Sequence, residues 1–281
     1  MHLIVILLGF TGVLGKLISC GSGVLVWYRM LIAFLFLLIY VYVTTGLKIS
    51  KKHLFNISLI GFIVAGHWLF FFESIKVSNV SVAVVCMGTS SLFSAILEPI
   101  ILKRQFIFRE LVLSVVVLFA IGLAMQADWS YKLGFIYGIV AAFLGALFTI
   151  YNSLYINKVE SEKITLFEMM SGFLLISVYL MFSSSVSPTD FTLSVSDLVY
   201  LLILGVVCTS FAFALSIEVM KKLSPYNVIM AVNLEPIYSI LLALIIFGES
   251  ENMSTAFYIG ALLIIASVTF DGLHKKKALK K

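Results

Sequence analysis

Apolar residues fall along this chain in long runs, separated by short polar breaks that carry most of the charge. A membrane-spanning helix needs about 20 mainly apolar residues. Ten runs approach that length, at 2–19, 23–45, 54–75, 80–102, 107–126, 133–156, 165–183, 196–218, 226–247 and 255–273. Each run is continuous in its hydrophobicity rather than alternating, which excludes the two-residue period of a membrane β-barrel strand. Hydrocarbon offers the backbone no partner, so each run must satisfy its own N–H and C=O groups and is predicted as an α-helix. The predicted fold class is an all-α polytopic membrane protein of about ten transmembrane helices.

Composition rules out other classes. Of 281 residues, 62% are hydrophobic and 12% charged, with a mean hydropathy of +1.13. A soluble domain is nearer half apolar and a quarter charged. The lipid bilayer is therefore the first expected partner, and no room remains for a sizeable soluble domain. A net charge of +5 does not point to nucleic acid, because the basic residues lie in short clusters between the runs. That is how topology signals are placed. With the N-terminus inside, fifteen Lys and Arg fall on the inner side, among them Lys48, Lys103, Arg104, Lys158, Lys221 and Lys222. Only Lys16, Arg29, Lys76 and Lys132 fall outside or within outer helix ends. Both termini are predicted in the cytoplasm, in a multi-pass protein of the cell (inner) membrane, with 275–281 a basic tail. Met1-His2-Leu3 opens without a basic region or a cleavage site and reads as a retained first helix. Cys20, Cys86 and Cys208 stand at no metal-ligand spacing and read as packing residues. No metal or cofactor is expected.

The runs divide into two sets of five. Phe10-Thr11-Gly12-Val13-Leu14 is echoed by Phe143-Leu144-Gly145-Ala146-Leu147 at an offset of 133. Later in each half the offset becomes 146, pairing Lys76 with Lys222, Ser78 with Ser224, Val82 with Val228 and Ala120 with Ala266. The longer polar loop around Ser183 to Ser196 accounts for the change. The ordered spacing carries this reading more than identity does. It predicts repeats at 1–127 and 133–274. Five is odd, so the second half enters the membrane inverted, a device of secondary transporters that bind substrate in a central cavity between the halves.

With Trp27-Tyr28-Arg29 opening the second run and Asn233-Leu234-Glu235-Pro236 in the ninth, the chain resembles the EamA-type transporters of the drug/metabolite transporter superfamily. The ninth-run motif continues through Leu241-Leu242-Ala243-Leu244 to Phe247-Gly248-Glu249, like the Gly-Glu step that ends the family's repeat. The first half departs from that pattern, with Leu102-Lys103 in place of Gly-Glu and Ser90 where a proline is common. The resemblance covers nearly the whole chain. It implies export of small metabolites or amino-acid-like compounds.

Ionisable groups inside apolar helices are costly, so each is a candidate. Pro236 removes a backbone hydrogen bond and bares a carbonyl one turn earlier, so Asn233 and Glu235 are expected to face a cavity. Glu235 could polarise substrate or carry a coupled proton; it could equally bond a neighbouring helix and hold the kink. Glu98-Pro99 lies near Arg104 and reads as an interfacial salt bridge. His67, Trp68 and Phe71 offer a titratable and aromatic wall suited to an organic substrate, or interhelical packing. Thr89, Ser90, Asn152, Thr209 and Ser210 could line a polar path, or pack as small polar residues do. Lys16, Arg29 and Glu73 map toward the outer end of the first three helices and are expected as an ion-pair cluster that neutralises buried charge, or as an outer gate. Gly12, Gly15, Gly145 and Gly205 read as close helix contacts, and Ser224-Pro225 as a helix start.

No phosphate-binding glycine loop, His-Glu-x-x-His pair or Gly-x-Ser-x-Gly elbow is present. The chain is thus predicted not to be an enzyme. The expected function is a secondary transporter of a small molecule by alternating access, with proton coupling left open. Alternatives are an uncoupled facilitator, a membrane-embedded enzyme and a non-transporting scaffold. Substrate, coupling ion, direction and oligomeric state are not written in the pattern.

Overall fold

The computed structural model describes residues 1–127, 129–184 and 186–278. Lys280 and Lys281 of the predicted basic tail lie outside the described residues. The α-helices follow the apolar runs. In order these are α1 (His2–Leu17), α2 (Ser22–Thr44), α3 (Lys51–Val77), α4 (Val80–Met87), α5 (Ser90–Leu102), α6 (Phe108–Ala127), α7 (Lys132–Ser153), α8 (Ser161–Phe182), α9 (Val195–Leu202), α10 (Ala212–Glu218), α11 (Pro225–Val232), α12 (Glu235–Phe247) and α13 (Thr255–Ala278). Among the described residues, no strand occurs.

Among the described residues, seven helical stretches have the length and hydropathy to cross a bilayer: 22–44, 51–77, 80–102, 129–153, 161–182, 195–221 and 225–251. His2–Leu17 and Thr255–Ser267 are shorter apolar helices. Their outward faces carry large apolar side chains such as Phe36, Leu174, Phe182 and Ile245, as lipid solvation requires.

Three expected spans are not continuous α-helix. The run at 80–102 breaks at Gly88–Thr89, where the amides of both residues bond three positions back, to the Val85 and Cys86 carbonyls, at 3.0 Å. Hydroxyl groups compete with the backbone there, and Thr89 Oγ1 donates to the Cys86 carbonyl at 2.7 Å. The run at 226–247 breaks at Asn233–Leu234, because Pro236 has no N–H to give to the carbonyl four residues earlier. The run at 196–218 contains a π-helical section, Ile203–Phe211. Thr209 and Ser210 hydroxyls donate there to the carbonyls of Leu204 and Gly205, five residues back, at 2.7 and 2.9 Å. π-Sections often mark functional sites.

Helix packing places the halves side by side. α3 runs along α7 and α8, α2 packs on α8, α6 on α13, and α1 on α12. Gly205 lets the π-section close on α2: a Cβ there would fall 2.7 Å from Ile32 Cγ2 and 3.3 Å from the Arg29 carbonyl. The other glycines expected at close contacts are crowded likewise, with neighbours at 3.0 Å (Gly12), 2.4 Å (Gly15) and 3.2 Å (Gly145). Ser224 caps α11 by accepting from the Asn227 amide, with Pro225 in its first turn. The three cysteines are buried and unpaired. Burial pushes the Cys20 thiol, in the turn after α1, up to about 11.

Candidate functional site

The two helix breaks meet inside the bundle. Asn233 Nδ2 donates to the Gly88 carbonyl at 3.3 Å, so the second break steadies backbone bared at the first. A cavity of about 110 Å³ lies against them. It extends from Arg29, Trp68 and Thr11 to Met220, Val228 and Ile229, near the end of the bundle that holds Lys221 and Lys222.

Aromatic rings form one wall. His67 stands 5.2 Å from Phe148 and stacks beside Phe71 at 6.3 Å. Phe213 closes the wall at 5.7 Å from Trp68 and 5.5 Å from Phe148. His67 Nδ1 lies 2.7 Å from the Ala141 carbonyl. A carbonyl only accepts, so Nδ1 carries the hydrogen and Nε2 is the acceptor.

Charge enters the cavity from two sides. Arg29 of α2 is 1% exposed and has the largest volume of the fully buried side chains. Its guanidinium lies 3.7 Å over the Trp68 ring and 5.5 Å from Phe72, a cation–π arrangement worth most when desolvated. Arg29 Nε donates to Thr209 Oγ1 at 2.7 Å, while one terminal nitrogen has no partner. Glu235, at the start of α12, also lines the cavity, 7% exposed. The two charges act on each other, yet among the described residues they form no ion pair. Glu235 takes no hydrogen bond among the described residues either. A buried guanidinium nitrogen and a buried carboxylate, each without a hydrogen-bond partner among the described residues, are expensive, and both groups are left available to a guest.

Of the residues singled out from the sequence, His67, Trp68, Phe71, Ser90, Asn152, Asn233 and Glu235 line this cavity. Thr89 and Thr209 do not. Both are fully buried beside it, with hydroxyls committed to the backbone of their own helix. The expected cluster of Lys16, Arg29 and Glu73 is not formed, because each finds a stronger local partner. Lys16 Nζ pairs with Glu251 Oε1 at 2.8 Å, Glu73 accepts from the Ser22 hydroxyl, and Arg29 turns into the cavity. Thr11, Phe148, Thr149, Phe213 and Ser216 also line it. Of these, Phe148 and Phe213 gave no signal beyond aromatic content.

A carboxylate closes the helix start at each end of the bundle. Fully buried Glu251 accepts from the amides of Val80 (3.1 Å) and Ser81 (3.0 Å), from Ser81 Oγ (2.8 Å) and from Lys16. It thereby caps α4. Glu98, 1% exposed, accepts from the Tyr226 amide at 2.7 Å in the first turn of α11, and from Arg104 Nε at 2.9 Å. The salt bridge expected from Glu98-Pro99 is present. Burial opposes the Arg104 charge, but the Glu110 hydrogen bond at 2.7 Å and the two carboxylates outweigh it and hold the guanidinium above its ordinary value. Ser19 adds a second tie at the Glu251 end, its amide and hydroxyl donating to Asp197 at 2.8 and 2.6 Å.

A solved structure described as "Crystal structure of protein" is similar over 98% of this chain and 98% of its own, with a TM-score of 0.69 and 15% sequence identity. At that identity the likeness concerns the fold. The search of curated proteins found no match. The sequence model of the EamA-like transporter family matches residues 1–126 and 132–270. A multi-pass helical membrane protein with an aromatic-walled cavity at two helix breaks, the chain belongs to the EamA-like transporter family of the drug/metabolite transporter superfamily.

Proposed function

We propose that the protein is a secondary exporter of small zwitterionic, amino-acid-like metabolites. It has ten spanning helices in two inverted five-helix repeats, 1–127 and 133–274. One observation carries the substrate class: Arg29 presents an unpartnered nitrogen, and Glu235 a carboxylate that takes no hydrogen bond among the described residues, to one aromatic-walled cavity. A substrate carboxylate docks on Arg29. Its ammonium meets Glu235 and the faces of the aromatic wall. Asn233, Ser90 and Asn152 orient the rest.

Several pairings support the inverted repeats. The helix breaks at 88–89 and 233–234 stand at nearly the offset found in the sequence. Contacts are reciprocal: α5 packs on α7 as α12 packs on α1, and α4 meets α12 as α11 meets α5. Glu251 caps α4 at one end as Glu98 caps α11 at the other. Such a pair of latches suits alternating access, in which each end opens while the other is tied. Here both ties are made, and the cavity runs toward the end rich in Lys and Arg, which the positive-inside rule assigns to the cytoplasm. Loading from the cytoplasm favours export, in the cell membrane, with both termini inside.

The test is flux through proteoliposomes. Radiolabelled phenylalanine, glutamate and choline are offered to wild-type protein and to Arg29→Gln and Glu235→Gln variants. Phenylalanine flux that falls at least ~10-fold in both variants supports the reading. Choline moved as well as phenylalanine, with no dependence on Arg29, would remove the zwitterion assignment. Product formation without flux would favour an enzyme instead.

A further inference from the structure

Thr209, expected on the substrate path, stops short of the cavity, and its contacts give it another part. The residue is fully buried, and its hydroxyl stands between two partners. It donates to the Leu204 carbonyl at 2.7 Å and accepts from Arg29 Nε, also at 2.7 Å. A hydroxyl has one hydrogen to give, and here it is spent on Leu204. The backbone thereby fixes the orientation of the hydroxyl and turns its lone pairs toward Arg29.

The π-helical section makes this arrangement. In an α-helix a threonine hydroxyl bonds back three or four residues; within Ile203–Phe211 it bonds back five. The carbonyl four residues back, that of Gly205, is taken by the Ser210 hydroxyl at 2.9 Å. Gly205 also brings the section against α2 at Arg29 itself, where a Cβ would lie 3.3 Å from the Arg29 carbonyl. The section therefore meets Arg29 twice, at its backbone through Gly205 and at its side chain through Thr209. A slip of one residue in register would turn Thr209 by about 100° around the helix axis and break the second contact.

A guanidinium is planar and carries its donors in a fixed fork. Trp68 covers one face at 3.7 Å, which sets the tilt of the plane but leaves the group free to swing within it. Thr209 removes that freedom by holding Nε. With Nε occupied, the two terminal nitrogens are the pair left for a guest. Nη1 has no partner, and no hydrogen bond of Nη2 occurs among the described residues. A carboxylate accepts two parallel N–H bonds only when both are aimed at it. Resting on the substrate reading above, we propose that Thr209 is a positioning residue that sets the preference for substrates bearing a carboxylate. Its hydroxyl never touches the substrate; it orients Arg29 so that the two terminal nitrogens face the cavity as a bidentate carboxylate site.

Trp68 reports the guanidinium without any substrate. In a Trp27→Phe, Trp129→Phe background it is the remaining tryptophan, and its ultraviolet resonance Raman bands respond to a cation on the ring face. Arg29→Gln supplies the cation-free spectrum in liposomes. Thr209→Val, which keeps the side-chain shape and removes the hydroxyl, should move the bands toward that spectrum, while Thr209→Ser should keep the wild-type one. Should Thr209→Val fail to fold by circular dichroism, Thr209→Ala makes the same deletion. Bands unchanged on loss of the hydroxyl overturn the proposal. Calorimetry in nanodiscs then compares phenylalanine with phenethylamine, which has the ring and the ammonium but no carboxylate. Thr209→Val should raise the phenylalanine Kd about 10-fold and leave that of phenethylamine in place, with Thr209→Ser restoring the wild-type preference. A loss shared equally by both ligands is a packing defect and also overturns it. If Arg29→Gln binds phenylalanine as wild-type protein does, the substrate reading fails, while the Raman bands still decide whether Thr209 holds Arg29.

Discussion

Removing the Glu251 carboxylate should open the tied end of the bundle. In Glu251→Ala, two amides and a hydroxyl at the start of α4 lose the acceptor that now meets them at 2.8–3.1 Å. Lys16 also loses its partner, but its side chain is 25% exposed and water can replace the contact, so it adds little. At about 1 kcal/mol for each of the three buried donors, the tied state loses about 3 kcal/mol. If those donors are hydrated in the open state, the tied-to-open ratio falls by about two powers of ten. The assay places a cysteine at Ser90, inside the cavity, and follows labelling by a membrane-impermeant maleimide applied from the Glu251 side. Cys20 lies on that side, and its raised thiol keeps it largely protonated and slow to react at neutral pH; replacing it with serine removes the background. Glu251→Ala should speed labelling by about 10- to 100-fold, and Lys16→Ala by well under 10-fold. An unchanged rate in a variant that still melts at the wild-type temperature would refute the latch.

The opposite latch should behave in mirror fashion: Glu98→Ala, which bares the Tyr226 amide and frees Arg104, should slow labelling of the Ser90 cysteine from the Glu251 side. Arg29→Lys keeps the charge but loses the planar stack on Trp68 and the bond to Thr209, so phenylalanine flux should fall about 10-fold or more with the fold intact, as circular dichroism would check. Gly205→Leu forces a side chain against Ile32 and the Arg29 backbone, and should cost about 1–3 kcal/mol of stability, read as a lower melting temperature. Glu235→Gln transporting at the wild-type rate and pH dependence would take that carboxylate out of the mechanism.

The helical, membrane-bound character was legible because a bilayer imposes one simple demand, a long apolar run with its backbone satisfied internally. Where helices stop inside the membrane was legible only when a specific atom was missing. Pro236 lacks an N–H, and the break at 233–234 follows from it. The break at 88–89 has no proline; a glycine followed by hydroxyls produces it, and such sequences are ordinary in apolar helices. The π-section likewise rests on Thr209 and Ser210 bonding five residues back, which no residue pattern announces. Depth along the chain grouped Lys16, Arg29 and Glu73, but depth does not give the direction a side chain points. Arg29 satisfies its charge on aromatic faces contributed by another helix. Glu251 stood in a polar loop, where a carboxylate costs nothing to place, so its buried role left no trace in sequence.

The central claim is that the two ends of the bundle open in turn around one cavity. Paired spin labels at Val77 and Ser250 report the Glu251 end, and labels at Lys103 and Lys222 report the Glu98 end. Distance distributions in lipid should show two populations at each end, with phenylalanine shifting the two ends in opposite directions. One fixed distance at both ends under every condition would contradict the account.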